Sequence, residues 1–573
     1  MNLNFFKVLL FAFLCLFLWG CSTKQGNMSS NHIQIPNEVN FVASFNIKSL
    51  QSKSEDILKV IDKDLLANLD ISEKEAKQIE KIGRNILSEG VDLTQKIYVF
   101  AKIGNYAENS YLGITFVVKD GKNLEKSIKL TASQNNTRVS NYKEDDINVI
   151  EFNEESGVDN TSLSWKNKTG LLLIIGDKRE ANPIMKKLFA TKSTESIFTK
   201  NKQVAEIEEK NKDVAFWVDY KKVNEVIRRI NPEAYDMTAV KSLMDIPQAL
   251  TFYTHFENGE VKIDSDFFLD PKESKTYEAM IKNSFNQNFV KNIPITSPQI
   301  VAGFSLALKP LFELLKQDEQ IKENEKNIQE NLGISSDELV NMLSGDFLLA
   351  MKNLSIESAV GGNFESSEVI IALGINQKEI FEKMLKKGNI FKDMKKENNF
   401  YVYRSPEIPF FAPSFSIFII PNNEGIYITT NKNLKNSLIK GEKRASNDFL
   451  AMTKSNSGIM FLDFEFFNQF KMLLNGNPFM KIVVPEMKNI TFETGAVNNH
   501  KISLKGSIKL RNARENSLAV LLNISRNLQK EYAEEMKKYE KEKKEIEEKI
   551  EEKIEEKIEE GEKKEPYKPE ESL

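Results

Sequence analysis

The chain repeats itself. Six segments of its first half recur in its second half, in the same order. Val42-Ala43-Ser44-Phe45 corresponds to Val301-Ala302-Gly303-Phe304. Asn68-Leu69-Asp70-Ile71-Ser72 corresponds to Asn331-Leu332-Gly333-Ile334-Ser335. The strand-like run 97–102 (IYVFAK) corresponds to 347–352 (FLLAMK), and the strand-then-helix 114–130 to 371–387. Phe216-Trp217-Val218-Asp219-Tyr220 corresponds to Met460-Phe461-Leu462-Asp463-Phe464, and Thr251-Phe252 to Thr491-Phe492. One short match arises readily by chance, whereas six in order do not. An internal repeat constrains architecture before any local reading begins. This one predicts two copies of one unit, at 35–292 and 293–526.

Within a unit, short β-rich runs alternate with amphipathic helices. Residues 97–103 and 112–118 read as paired strands, and 122–130 has apolar residues at helical spacing. A buried-type strand at 171–175 precedes a helix at 182–190. Residues 250–256 and 261–269 flank Asn258-Gly259, a turn pair that tolerates positive φ and so predicts a hairpin. Short turns imply antiparallel pairing, with helices covering one face: the α+β class. Asn46, Asp219, Ser305 and Asp463 each end a strand just before a helical pattern, so all four are expected to cap helix N-termini. Asp264 and Asp266 alternate along the last strand of the first unit, which would turn both to solvent.

The N-terminus fixes an expected place. After Lys7, residues 8–18 are apolar, and eleven residues fall short of the roughly 20 that span a bilayer. This is a signal-peptide core. It ends in Leu18-Trp19-Gly20-Cys21, which resembles a bacterial lipobox. The reading is a signal peptide at 1–20, lipidation with fatty acid such as palmitate on Cys21, and a polar tether at 21–34. Cleavage removes Cys15 and the lipid consumes Cys21, so no thiol remains for a disulfide or a metal. Ser22 fits sorting to the outer membrane. The expected location is the cell envelope, on the periplasmic face or the cell surface.

Ile35-Pro36, the segment Phe45-Asn46-Ile47-Lys48-Ser49-Leu50 and the run 90–100 (GVDLTQKIYVF) carry a resemblance. Together they are similar to the lipoprotein family described as domain of unknown function 4836, over most of 35–526. The resemblance implies a lipoprotein with a duplicated α+β body in a Gram-negative envelope. It implies no activity and no catalytic residue.

Motifs of catalysis are scarce. No phosphate-binding glycine pattern is present. Gly303-Phe304-Ser305-Leu306-Ala307 lacks the last glycine of a nucleophile elbow. Three histidines, His32, His255 and His500, show no metal-ligand spacing. No enzyme, metal or cofactor is expected. Two local features invite contact. Trp165, on a polar strand before a turn, could stack on a ligand ring. Between matched strands, residues 405–415 (SPEIPFFAPSF) carry three prolines and three phenylalanines where the first half is polar. Phe410, Phe411 and Phe415 therefore form a candidate contact loop.

The tail at 527–573 is a charged helix. From Lys530 onward it holds 12 Lys and 18 Glu, so the body is close to neutral and no nucleic-acid surface is indicated. Its Glu-Glu-Lys-Ile period of four makes the isoleucine stripe drift, unlike a heptad seam. The expected function is non-catalytic binding or scaffolding at the envelope. The alternative is a carrier for an apolar, lipid-like ligand. Its partners would be the membrane, through Cys21, and an envelope protein or apolar molecule.

Overall fold

The computed structural model describes residues 35–54, 90–104, 110–134, 138–153, 160–175, 181–230, 247–272, 274–316, 319–354, 367–404, 415–443, 445–470 and 476–562. Cys21, Phe410, Phe411 and the matched segment 68–72 lie outside these residues. The described fold is α+β, built on one large antiparallel sheet. No described helix is long and apolar enough to cross a membrane.

The first half supplies β1 (Phe41–Phe45), β2 (Ile97–Lys102), β3 (Tyr111–Val117), β4 (Arg138–Glu144), β5 (Ile147–Asn153), β6 (Asn160–Lys166), β7 (Thr169–Ile175), β8 (Val214–Val218), β9 (Pro247–Glu257) and β10 (Glu260–Leu269). Their spatial order is 4-5-6-7-3-2-1-8-9-10. The second half supplies β11 (Ile300–Ser305), β12 (Leu343–Lys352), β13 (Glu368–Ile375), β14 (Lys395–Glu397), β15 (Phe400–Arg404), β16 (Ser416–Pro421), β17 (Gly425–Thr429), β18 (Gly458–Asp463), β19 (Met487–Asn498) and β20 (Lys501–Leu510). Their order is 14-15-16-17-13-12-11-18-19-20.

The halves meet edge to edge. β10 pairs antiparallel with β20, from Glu260↔Lys509 to Phe268↔Lys501, with Asp264↔Lys505 at the centre. Each hairpin tip seats on the other half in the same way. The Leu510 amide donates to the Gly259 carbonyl at 2.8 Å, and the Leu269 amide to the His500 carbonyl at 2.8 Å. Both tips need positive φ. Gly259 supplies it in the first, and Asn499 and His500 in the second.

Because β10 is not an edge, Asp266 does not face solvent as its alternation suggested. It is buried, 2.5 Å from Ser503 Oγ, 3.1 Å from Lys501 Nζ and 3.7 Å from Lys210 Nζ. Burial opposes ionisation. The Ser503 hydroxyl and the Lys501 and Lys210 ammonium groups outweigh it and hold the carboxyl below its ordinary range. A carboxyl depressed in the folded state stabilises fully above its unfolded pKa of about 3.9 and loses that contribution as pH falls through the folded value. Wild type is therefore expected to lose stability more steeply than Asp266→Asn below about pH 4. Parallel acid-unfolding curves for the two proteins would exclude this role.

Five helices decide which parts of the sheet are covered: α1 (Ile47–Lys53), α2 (Gly121–Gln134), α3 (Leu308–Leu315), α4 (Lys378–Lys387) and α5 (Ser517–Glu562). α1 begins as expected, with Asn46 Oδ1 accepting from the Ser49 amide at 3.1 Å. Asp219 and Asp463 accept likewise from Lys222 and Glu465. Ser305 does not cap. It is buried at the end of β11, with its hydroxyl 2.6 Å from Asp346 Oδ1.

Candidate functional site: an open apolar sheet face

One face of the sheet is covered in both halves. In the first, Val42, Phe100 and Leu173 pack under Met185, Leu188, Val204 and Ile207. In the second, Val301, Leu348 and Ile370 pack under Phe289, Leu434 and Phe449. Alternate residues on each strand point to the opposite face, and there the halves differ.

In the first half that face carries Phe45, Ile97, Val99 and Ile114, all buried. Ile47 and Leu50 of α1, Leu124 and Ile128 of α2, and Leu518 at the start of α5 join them in one core. The corresponding cross-strand set in the second half is Phe304, Phe347, Leu349 and Ile371, fixed by the pairs Phe304↔Phe347 and Leu349↔Ile371. These residues are just as apolar but less covered: Phe347 and Leu349 are half-buried, and Phe304 and Ile371 are exposed. Phe304 is 44 % exposed against 0 % for Phe45, and Ile371 37 % against 4 % for Ile114. Met460, beside Ala302 on β18, is also exposed.

The helices explain the difference. α4 buries Phe381, Met384 and Leu385 against Ile375, Tyr401, Ile419 and Ile426, toward the outer strands. α3 follows β11 as α1 follows β1. Yet its Leu311 and Leu314 turn to Leu269, Tyr277 and Met280, and it buries no residue fully. α5 covers the β19–β20 side, where Val520 and Ile524 meet Phe464 and Met487. Between these covers, β18, β11, β12 and β13 keep an apolar strip open. These four adjacent strands span about 14 Å at roughly 4.8 Å per strand. That width accommodates one helix of about 10 Å diameter.

Besides Asp266, ionisable groups gather at two further buried aspartates. Asp213 accepts from Ser49 Oγ at 2.6 Å, Lys53 Nζ at 2.6 Å and the Phe256 amide at 2.7 Å, and lies 2.9 Å from His255 Nδ1. Asp346 gathers Ser305, Ser344 Oγ at 2.7 Å and Lys282 Nζ at 3.2 Å. Both tie helices or loops to strand ends, and neither lines a cleft. Among the described residues, no group of three or more His, Cys, Asp or Glu is placed to hold a metal. One open groove of about 570 Å³ is lined by Lys122, Glu125, Lys126, Lys129, Leu130 and Ser133 on the outside of α2.

The residues expected to make contacts fall in different places. Trp165 is not open to a ligand ring. It is 4 % exposed within the first-half core, where a Cβ on Gly121 would come within 2.7 Å of its Nε1. The indole is packed over the start of α2, which a strand of polar composition did not suggest. Phe415 is half-buried before β16, and its loop companions Phe410 and Phe411 lie outside the described residues. The open face itself was not singled out by sequence. Its strands read as apolar in both halves, and strand composition carries no record of which half a helix covers.

Among solved structures, three crystal forms of TP0453 show slight likeness. Form III has a TM-score of 0.24 and 10 % identity over 43 % of this chain and 86 % of its own. Form I has 0.24 and 9 % over 41 % and 79 %. Form IV has 0.23 and 11 % over 43 % and 85 %. No curated protein sequence matches. The family described as "Domain of unknown function (DUF4836)" matches residues 31–518, and the chain belongs to it.

Proposed function

We propose that this is a non-catalytic binding module of the bacterial envelope, tethered by a lipid on Cys21 and sorted to the outer membrane. Its body consists of two homologous units, 35–292 and 293–526, followed by a charged helical tail. The recurring strand order and the reciprocal hairpin contacts support the two-unit reading. The second unit is the binding unit. Its open sheet face receives an amphipathic, apolar-faced helical segment of an envelope protein. One observation carries this: Phe45 and Ile114 are sealed in the first half, whereas Phe304 and Ile371, at the corresponding strand positions of the second, are exposed. The first half thus displays the kind of cover the second half lacks. An exposed apolar face of this extent on a soluble surface marks a contact site.

A photo-cross-linking residue at Met460, introduced into the full-length protein in intact envelopes, tests the reading. The expected product is a protein adduct whose trapped peptide is amphipathic. It should disappear when Phe304 and Ile371 are both changed to Ser. Adducts with lipid alone would move the assignment to an apolar-ligand carrier. No adduct of either kind would remove this face as a binding site.

A further inference from the structure

α5 leaves the body at Glu531, whose carboxylate meets Lys481 Nζ at 2.8 Å. Beyond it, Tyr532, Met536, Tyr539, Ile546 and Ile550 are each 52–63 % exposed. Their spacing is four, three, seven and four residues. That is a heptad seam, completed by Lys543 at one core position, before the four-residue period of the tail takes over. A single lysine in such a seam fixes register rather than adding stability.

Charge is sorted around the seam. Glu535, Glu542 and Glu547 fall at the positions that border it, and Lys549, at the far end, is the one cation there. The opposite side mixes Lys537, Lys538, Lys541 and Lys544 with Glu534, Glu545 and Glu548, so the excess of negative charge lies at the borders. Two copies of α5 paired in parallel would set Glu542 against Glu547 of the other copy. Paired antiparallel, they would set Lys549 against Glu535 or Glu542 on one border, leaving like charge on the other. Like charge thus penalises the parallel arrangement most and the antiparallel one on one border. An anionic lipid surface would meet the same acidic margin.

We propose that α5 is one strand of a heterotypic coiled coil, and that its partner is an amphipathic helix with an apolar seam bordered by Lys or Arg. This is a second contact surface, separate from the open sheet face.

The test uses the full-length protein in detergent and two synthetic helices of about four heptads with the same Leu/Ile core. One carries Lys at the bordering positions and the other Glu. Fluorescence anisotropy is expected to show the Lys-bordered helix bound at least roughly tenfold more tightly, with the difference shrinking as salt is raised. The triple change Glu535→Lys, Glu542→Lys and Glu547→Lys should invert the preference. It lies on an exposed helix and replaces one good helix former by another, so folding is not at issue. The proposal is overturned if the two peptides bind equally or if neither binds. It is also overturned if sedimentation shows a dimer of the protein that Ile546→Glu dissolves, which would make the seam a self-association surface.

Discussion

Phe45→Ala is expected to destabilise the protein by about 3–5 kcal/mol, whereas Phe304→Ala should cost about 1 kcal/mol or less. The two residues hold corresponding places. Phe45 ends β1, Phe304 stands one residue before the end of β11, and each faces an apolar neighbour across the ladder, Ile97 or Phe347. The substitutions remove the same atoms. Only the cover differs: Phe45 sits under Ile47 and Leu50, while Phe304 stacks on Phe347 at 5.1 Å with its other side open. Denaturant midpoints of the two single variants measure the contrast. Equal losses would mean that the second-half face is sealed in the folded protein, and the proposed docking site would fall with it.

Asp213→Ala should also be severe, at about 3–5 kcal/mol. Its carboxylate is almost fully buried and joins three elements: α1 through Ser49 and Lys53, the entry to β8, and β9 through His255 and the Phe256 amide. Removing it strands a half-buried ammonium and a buried amide proton together. Asp213→Asn keeps the shape and an acceptor but not the charge, and should recover part of the loss. Thermal unfolding of the two variants separates the charge from the hydrogen bonds. A loss below about 1 kcal/mol for Asp213→Ala would show that water replaces the carboxylate without strain.

Strand positions and helix starts were open to sequence reasoning because they depend on local rules. Alternation, the Asn258-Gly259 turn and the Asn46, Asp219 and Asp463 caps act within a few residues of chain. What escaped depends on distant partners. Asp266 reads as a solvent-facing carboxylate until β20, some 240 positions later, arrives beside it. Trp165 reads as exposed until α2 brings Gly121 beneath its ring. Ser305 reads as a cap, yet Asp346 on the neighbouring strand claims its hydroxyl. The open face is the extreme case. Phe45 and Phe304 sit in nearly identical local sequence, and their opposite exposure is decided by where α1 and α3 turn. The charge-sorted seam of α5, in contrast, lies wholly in local sequence, and was masked by the louder repeat after it.

The pairing of β10 with β20 also bears on how the protein is made. While the chain is being synthesised, β10 is finished more than 230 residues before β20 and waits as a bare strand edge, the kind of edge that recruits other chains. The centre of the seam limits that hazard. Asp264 lies opposite Lys505, so the two edges are electrically unlike. Two nascent first halves meeting in the same register would bring Asp264 against Asp264, a directly opposed like pair that destabilises a ladder. Two second halves would bring Lys505 against Lys505. The bias is strongest for β20, where Lys501 would also meet Lys509 of the other copy; in β10 the opposed Asp264 pair is offset by Lys262 facing Asp266. Late delivery of β20 closes a molecule with itself rather than with its neighbours.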